Sequence, residues 1–299
     1  MLFRSWMYHG NLGAALAHTA LGRSVPLVWG VRQSLPSLAG ENRFARIGIR
    51  LNKAASSWPD RLLFNSQTGL RQHRDFGFDM RRAQYLPNGF DTASFAPDAA
   101  ARARCRAAWG ADAGTVVFGL LARHHPTKDH AGFIRAAGRV HAQRGQVLFV
   151  LAGTAVDEGN AALVRAIAEA GLADRVRLLG PQSDVASVLA GLDVYVSSSR
   201  AEAFSNALGE AMSCGLPGVV TDVGDSGHVL GAAGRVVPPG DAAALAGAMI
   251  ELVDVGPPGR AEMGARARQR IVAEFDIEAV AGRYAGLYDE LVGRARQAH

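Results

Sequence analysis

Residues 195–221 read YVSSSRAEAFSNALGEAMSCGLPGVVT, and the rest of the chain is ordered around them. Leu192 to Val196 is a short, apolar, β-rich run, and Ser197 to Ala203 is small and polar. Ser205 or Asn206 can cap the helix that follows. Gly215 supplies a residue for the helix C-terminus, Pro217 forbids continuation, and Val219 to Thr221 begins another buried strand. The pattern is strand, loop, helix, loop, strand. In such units ligands bind in the crevice beyond the carboxyl ends of the parallel strands. Glu202 then lies in the loop at that rim. Glu210 falls eight positions later, in the second turn of the helix, on a face that Ala207, Ala211 and Cys214 leave uncrowded. The helix N-terminus offers free amide N–H groups to an anion. Taken singly neither glutamate is persuasive, since a glutamate in the second helical turn is more often a solvated surface residue.

The 299 residues have room for about two domains, and 48% apolar with 20% charged residues describes a soluble globular protein. Cys105 and Cys214 have neither disulfide-framework nor zinc-site spacing, so a reducing cytoplasm is the simplest compartment. No apolar run reaches the roughly 18 to 20 residues of a spanning helix, and the first residues lack a signal-peptide layout. A net charge of +5 favours anionic partners: phosphorylated substrates, acidic lipid surfaces or nucleic acid. The arginines are scattered and no RNA- or DNA-binding motif accompanies them, so nucleic acid is not an expected partner.

Along the chain, Leu2 to Trp6 reads as a strand, WMYHGN as a loop and Leu12 to Leu21 as an Ala-rich helix closed by Gly22. Strands at Val25 to Val31, Arg61 to Asn65 and Arg82 to Leu86 alternate with helices at Asn42 to Ser56 and Gln67 to about Phe76. PNGFDTASFAP, Pro87 to Pro97, is a turn-rich connector and the expected domain boundary. Six strands follow, at Val116 to Leu121, Gln146 to Leu151, Val176 to Leu179, Asp193 to Val196, Gly218 to Thr221 and Arg235 to Val237, with helices between them. They predict a complete doubly wound domain over 98–275. An amphipathic terminal helix lies within 276–299.

The loop after the first of those six strands, GLLARHHPTKDH, carries Arg123 and Lys128. Pro126 and Thr127 set up a helix starting near Lys128, so both cations face the crevice of Glu202 and Glu210. A guanidinium fork and an ammonium point charge together suit a diphosphate. A solvated basic loop is the alternative reading.

EAFSNALGEAMSCGLPGVV, from Glu202 to Val220, resembles the EGFPNVLLEAMACGTPVV-like signature of the retaining, GT-B-fold nucleotide-sugar glycosyltransferases of family 4, the group 1 glycosyl transferases. Ser205 stands where proline is usual. The Arg123 loop is similar to the GRLxxxKG-like loop of that family, with Asp129 in place of a small residue. VGDSGHVLGAAGRVVPPGD resembles a further family segment, with Gly227-His228 where Ala-Glu is common. The resemblance implies an α/β GT-B fold, two Rossmann-like doubly wound domains facing a cleft. The acceptor-side domain would be 1–97, the donor domain 98–275, and 276–299 a helix packing back toward the first.

On that resemblance Arg123 and Lys128 bind the donor diphosphate, Glu210 accepts from ribose hydroxyls and Glu202 from hydroxyls of the donor sugar. His9 of WMYH matches a histidine facing that sugar, although a lone histidine also reads as structural. Phe204, Ser205 and Asn206 line the donor site, and Gln182, in Gly180 to Asp184, lies where the nucleobase is covered. His124 and His125 flank the basic loop. Asn65-Ser66 ends a strand at the inter-domain rim, where Ser66 reads equally as a helix cap. The two cations stabilise the leaving diphosphate in the role a metal plays elsewhere, so no metal and no DxD-like motif is expected. In the front-face description the leaving phosphate takes the acceptor's proton.

The implied function is transfer of a hexose from a nucleotide sugar to a glycan or lipid-linked acceptor in cell-surface or exopolysaccharide synthesis. The implied place is the cytoplasm, peripheral to an anionic membrane. A shortened GT-B relative that only binds nucleotide or sugar is the alternative. An epimerase on the same architecture is a third reading, which the glutamate pair with Arg123 and Lys128 disfavours. The resemblance runs from about residue 5 to 290, and a GT-B N-terminal domain of ordinary size would have roughly 70 to 80 residues more. A fragment is therefore expected.

Overall fold

The computed structural model describes residues 2–22, 24–38 and 42–297. Strands and helices alternate as β1 (Phe3–Trp6), α1 (Met7–Ala20), β2 (Leu27–Val31), α2 (Arg43–Ala54), β3 (Arg61–Phe64), α3 (Gln67–Phe76), β4 (Ala83–Tyr85) and α4 (Ala99–Trp109). They continue as β5 (Val116–Leu121), α5 (His130–Gln143), β6 (Val147–Ala152), α6 (Ala161–Glu169), β7 (Val176–Leu178), α7 (Val185–Gly191), β8 (Val194–Ser197) and α8 (Asn206–Ser213). The last elements are β9 (Gly218–Thr221), α9 (Ser226–Leu230), β10 (Gly234–Val237), α10 (Ala242–Asp254), α11 (Gly256–Glu274) and α12 (Ile277–Gln297). The chain forms two compact units, Met1–Gly89 with Ile277–His299, and Phe90–Asp276.

The larger unit holds a parallel six-stranded sheet in the order β10-β9-β8-β5-β6-β7. Its strands are near-continuous apolar runs because both faces are covered. Phe118, Leu120, Phe149 and Leu151 pack on one side with Phe133 and Met249. Val117, Leu148, Val150 and Tyr195 pack on the other with Leu208 and Met212. The chain winds outward from β5 to β7, then returns to place β8 on the opposite flank of β5, with Phe118 beside Val194 and Gly119 beside Tyr195. The strand order reverses there, and the crevice above such a point is where open α/β sheets bind ligands.

Residues 90–97, expected with the first domain, belong to this unit. The Phe90 N–H donates to the Phe275 carbonyl (2.8 Å) and the Thr92 hydroxyl to Asp276 (2.6 Å). Arg268 donates to the carbonyls of Thr92, Phe95 and Ser213. Turn-forming sequence shows where the chain bends; these distant partners decide which unit the bend joins.

The smaller unit has a parallel sheet in the order β1-β2-β3-β4. Trp29, Phe64 and Leu62 fill one face with Ile49 and Phe78. On the other face, Val28, Leu63 and Leu86 meet Leu287 and Leu291 of α12. His73 is fully buried, with Nδ1 at 2.7 Å from the Gly69 carbonyl and Nε2 at 2.8 Å from the Tyr8 hydroxyl. Burial lowers its pKa to about 4, so the ring is neutral, Nδ1–H donates to Gly69 and Nε2 accepts from Tyr8.

WMYHGN is not a loop. Trp6 is extended, and α1 starts at Met7, which turns the chain in one residue at φ +62°. Asp129 and Ala155 also have positive φ, and all three follow a strand. Such backbone costs on the order of 1–3 kcal/mol per residue and collects at functional rims.

Candidate active site

The site is assembled from the loops that follow β5, β8 and β9. After β5, Pro126–Lys128 forms a 3-10 turn and Asp129 (φ +46°) starts α5, its carboxylate accepting from the Gly132 N–H (3.1 Å). The α-helix therefore begins just beyond Lys128, and the Asp129 substitution is its cap. The Ser198 hydroxyl donates to the carbonyls of Lys128 (2.8 Å) and Asp129 (3.1 Å). The Arg200 N–H donates to the Thr127 carbonyl (2.7 Å), and its guanidinium pairs with Asp129 at 3.0 Å. Laced this way, the loops bring the Lys128 ammonium into an ion pair with Glu202 Oε1, which also accepts from the Ser199 hydroxyl (2.9 Å). The Lys128 and Glu202 side chains are 24% and 12% exposed. An ammonium has three N–H donors; Glu202 engages one, leaving the others for oxygens arriving from the crevice.

The loop after β9 fixes Glu202 from behind. Gly224 has φ +56°, and a Cβ there would lie 2.4 Å from the Glu202 carbonyl and 2.6 Å from that of Ala203. The Asp225 N–H donates to the Ala203 carbonyl (3.0 Å), and the Thr221 hydroxyl to that of Ser199 (2.6 Å). The VGDSG likeness alone does not reveal this clasp. The signal was present: a glycine that permits both positive φ and close backbone approach.

Ser205, rather than Asn206, caps α8, its hydroxyl accepting from the Leu208 N–H (3.4 Å). Asn206 is the first helical residue and is exposed. Glu210 stands in the second turn, and burial raises its pKa. Tyr195 was not singled out by the sequence, yet it is the buried floor of the site. Its phenol is pushed far up, first by burial, then by the charge of Glu202 and, to a lesser degree, of Glu210, against a hydrogen bond with Ser205. A tyrosine in an otherwise apolar strand needs a partner for its hydroxyl, and that was its only signature.

The other expected residues lie as follows. Arg123 is exposed on the β5 loop and has no ion-pair partner among the described residues. Gly153 (φ +147°) closes against its backbone, since a Cβ there would sit 2.9 Å from the Arg123 nitrogen. Phe204 brings no side chain to the crevice: its ring is 7% exposed and stacks on Phe90 in the core. Gln182 is exposed in the turn after β7, where its amide donates to the Leu179 carbonyl (2.6 Å). His9 belongs to the smaller unit, exposed in the first turn of α1 against Gly48 of α2. His124 and His125 are exposed, and Ser66 caps α3 by accepting from the Gly69 N–H (3.0 Å). His130, behind His124, is lowered to about 4, chiefly by burial. Among the described residues no His, Cys, Asp or Glu cluster is placed to hold a metal ion, and no helix is long and apolar enough to cross a membrane.

Residues 115–254 match the family described as glycosyl transferases group 1. Over 121 residues the chain is 35% identical to an N-acetyl-alpha-D-glucosaminyl L-malate synthase of Bacillus anthracis, covering 40% of this chain and 32% of that protein. Over 183 residues it is 31% identical to the lipopolysaccharide core biosynthesis mannosyltransferase LpsB of Rhizobium meliloti, covering 54% of this chain and 52% of that protein. The chain thus spans about a third to a half of these relatives. The crystal structure of Anabaena Alr3699/HepE in complex with UDP and glucose superposes with a TM-score of 0.86 at 22% identity, over 97% of this chain and 78% of that one. That likeness shows the fold, the α/β architecture of GT-B glycosyltransferases. The residues matched to the glycosyl transferases group 1 family include Arg123, Lys128, Glu202 and Glu210.

Proposed function

We propose that the chain acts in a retaining, metal-independent hexosyltransferase of family 4. It would move a sugar from a nucleoside-diphosphate sugar to a glycan or lipid-linked acceptor in cell-surface or exopolysaccharide synthesis. The observation that carries this reading is the Lys128–Glu202 pair above the strand-order reversal, with Glu210 of α8 acting, like Glu202, on the buried Tyr195. The same ammonium that holds Glu202 can bind a diphosphate oxygen, which fixes the sugar carboxylate relative to the leaving group. Arg123 adds a guanidinium fork from the same loop. Together they stabilise the negative charge that grows on the diphosphate as the anomeric C–O bond breaks, in the role a metal has elsewhere.

Glu202 accepts from the donor sugar's hydroxyls and Glu210 from the ribose. Asn206 and the α8 amides, with Gln182 at the base, border the nucleotide. On a front-face path, the acceptor oxygen bonds to the anomeric carbon on the side the diphosphate leaves, and its proton passes to the departing phosphate oxygen. A named LPS-core mannosyltransferase among the relatives, and a UDP- and glucose-bound structure among the fold's neighbours, support this substrate class.

The reading includes peripheral attachment at the cytoplasmic face of an anionic membrane. On α2, Phe44, Ile47 and Leu51 are 79%, 47% and 51% exposed. They form one stripe beside a second, exposed stripe of Arg43, Arg46, Arg50 and Lys53. An apolar stripe flanked by cations suits an anionic interface. Sedimentation with phosphatidylglycerol vesicles, absent with phosphatidylcholine and lost in Phe44→Asp/Leu51→Asp, is the expected result; equal recovery with both lipids contradicts it.

Turnover is tested by incubating the chain with UDP-glucose or GDP-mannose and alkyl glycoside acceptors in EDTA, and following nucleoside diphosphate release and the anomeric configuration of the new glycosidic bond by NMR. An α-anomeric product formed without metal supports the reading. A β-anomeric product, or release that requires added metal, refutes it.

A further inference from the structure

The smaller unit carries a pocket of about 470 Å3 that the donor site does not use, lined by Arg4, Arg32, Asn88, Val280, Tyr284 and Tyr288 among others. Arg4 lies on β1 with its guanidinium carbon 4.4 Å from the Trp6 ring centroid, 4.7 Å from Tyr284 and 5.4 Å from Tyr288. Arg32 follows β2 and sits 5.6 Å over the same Trp6 ring. Aromatic faces attract a guanidinium through its π surface. That contact uses none of the N–H donors along the edge of the group, and Arg4 Nε is buried with no hydrogen-bond partner.

Among the described residues no aspartate or glutamate lines the pocket. The contrast within this unit is plain, because Arg61 and Arg294 are both paired with Glu290, and Arg81 with Asp79. Leaving a buried donor unmet is costly, and more so for a charged group. Two guanidiniums, stacked and uncompensated by carboxylate, are a recognition element for an oxyanion carrying about two charges. Beside them, Ile277, Val280 and Ala281 supply an apolar wall that a bare ion would not use.

We propose that this pocket binds the phosphoryl group of the acceptor, with the atoms next to that phosphate lying along the apolar and tyrosine wall. The inference deepens the transferase reading and rests on it for the word acceptor. The site itself is defined by Arg4, Arg32, Trp6 and the two tyrosines alone. Arg4 and Arg32 contact the phosphate, whereas Trp6 and Tyr284 position Arg4.

The test is calorimetric titration of the full chain with geranyl phosphate, glucose 1-phosphate, inorganic phosphate and geraniol. Each is repeated on Arg4→Gln and on Arg32→Gln, the latter at an exposed position where folding is preserved. Saturable binding of a phosphorylated probe, weakened about tenfold or more in each variant, with geraniol inert, is the expected result. Geranyl phosphate binding tightest identifies a lipid-linked source, and glucose 1-phosphate tightest a phosphorylated sugar. No phosphate probe binding, or binding unchanged in both variants, overturns the proposal. A parallel UDP titration separates the two readings: loss of UDP binding in the parent chain sinks the donor site and leaves this pocket's result standing.

Discussion

Lys128 and Glu202 are joined in an ion pair that spans the β5 and β8 loops, at the point where the six-stranded order reverses. The pair couples the group that would hold a diphosphate to the group that would hold the sugar. Glu202→Gln keeps the size and the Ser199 contact but removes the charge that orients the ammonium. Nucleoside diphosphate affinity should change less than about threefold while turnover falls by about 10² or more. Steady-state kinetics beside calorimetry checks this; parallel loss of both would reduce Glu202 to a structural partner.

Gly224 is held at φ +56° against the carbonyls of Glu202 and Ala203. Alanine there adds left-handed strain and a clash with backbone that cannot rotate away. Gly224→Ala should lose roughly 2–3 kcal/mol of stability and weaken turnover further by displacing Glu202. Urea denaturation gives the first number, and a stability within error of the parent would refute the clasp.

Burial raises the Glu210 pKa above its unfolded value. Below the unfolded value both states are protonated and the contribution to stability is full; it is lost as pH rises through the folded value. Glu210→Gln cannot ionise, so it should be more stable than the parent at pH 8, with the difference vanishing in acid, while nucleotide binding at pH 8 weakens. Denaturant midpoints at pH 4 and 8 decide it, and a gap that widens in acid would reverse the sign.

His73 titrates the other way. Its pKa falls from the ordinary 6.5 to about 4 on folding, so the unfolded chain takes up a proton first, and stability is lost as pH drops from 6.5 toward 4. The span corresponds to at most about 3 kcal/mol. His130, also lowered to about 4, adds a loss of the same sign in the larger unit. His73→Gln should flatten the dependence of the smaller unit; a variant as acid-sensitive as the parent would argue against the buried neutral ring.

The strand-loop-helix pattern of residues 195–221 made the larger unit legible, because its apolar runs and its Gly-Pro punctuation obey short-range rules. The placement of Arg123 and Lys128 on the β5 loop, Glu202 on the β8 loop and Glu210 on α8 was legible for the same reason, whereas their assignment to a donor site came from the family resemblance. What escaped were effects of distant neighbours. Residues 90–97 join the larger unit through Phe275, Asp276 and Arg268, more than 170 residues away in sequence. Met7 turns strand into helix in one residue, which no propensity foretells for a methionine. Tyr195 matters through what the fold puts above it, and Phe204 lost its place in the crevice to a stack with Phe90.

Calorimetry reads a metal-independent diphosphate site on the β5 loop without requiring turnover. UDP, GDP, ADP and CMP are titrated in EDTA into the chain and into Arg123→Ala, Lys128→Ala and Glu210→Ala. One diphosphate should bind, and each substitution should weaken it by about 1.5–3 kcal/mol. Binding that needs added metal, or that survives both cation substitutions, would contradict it.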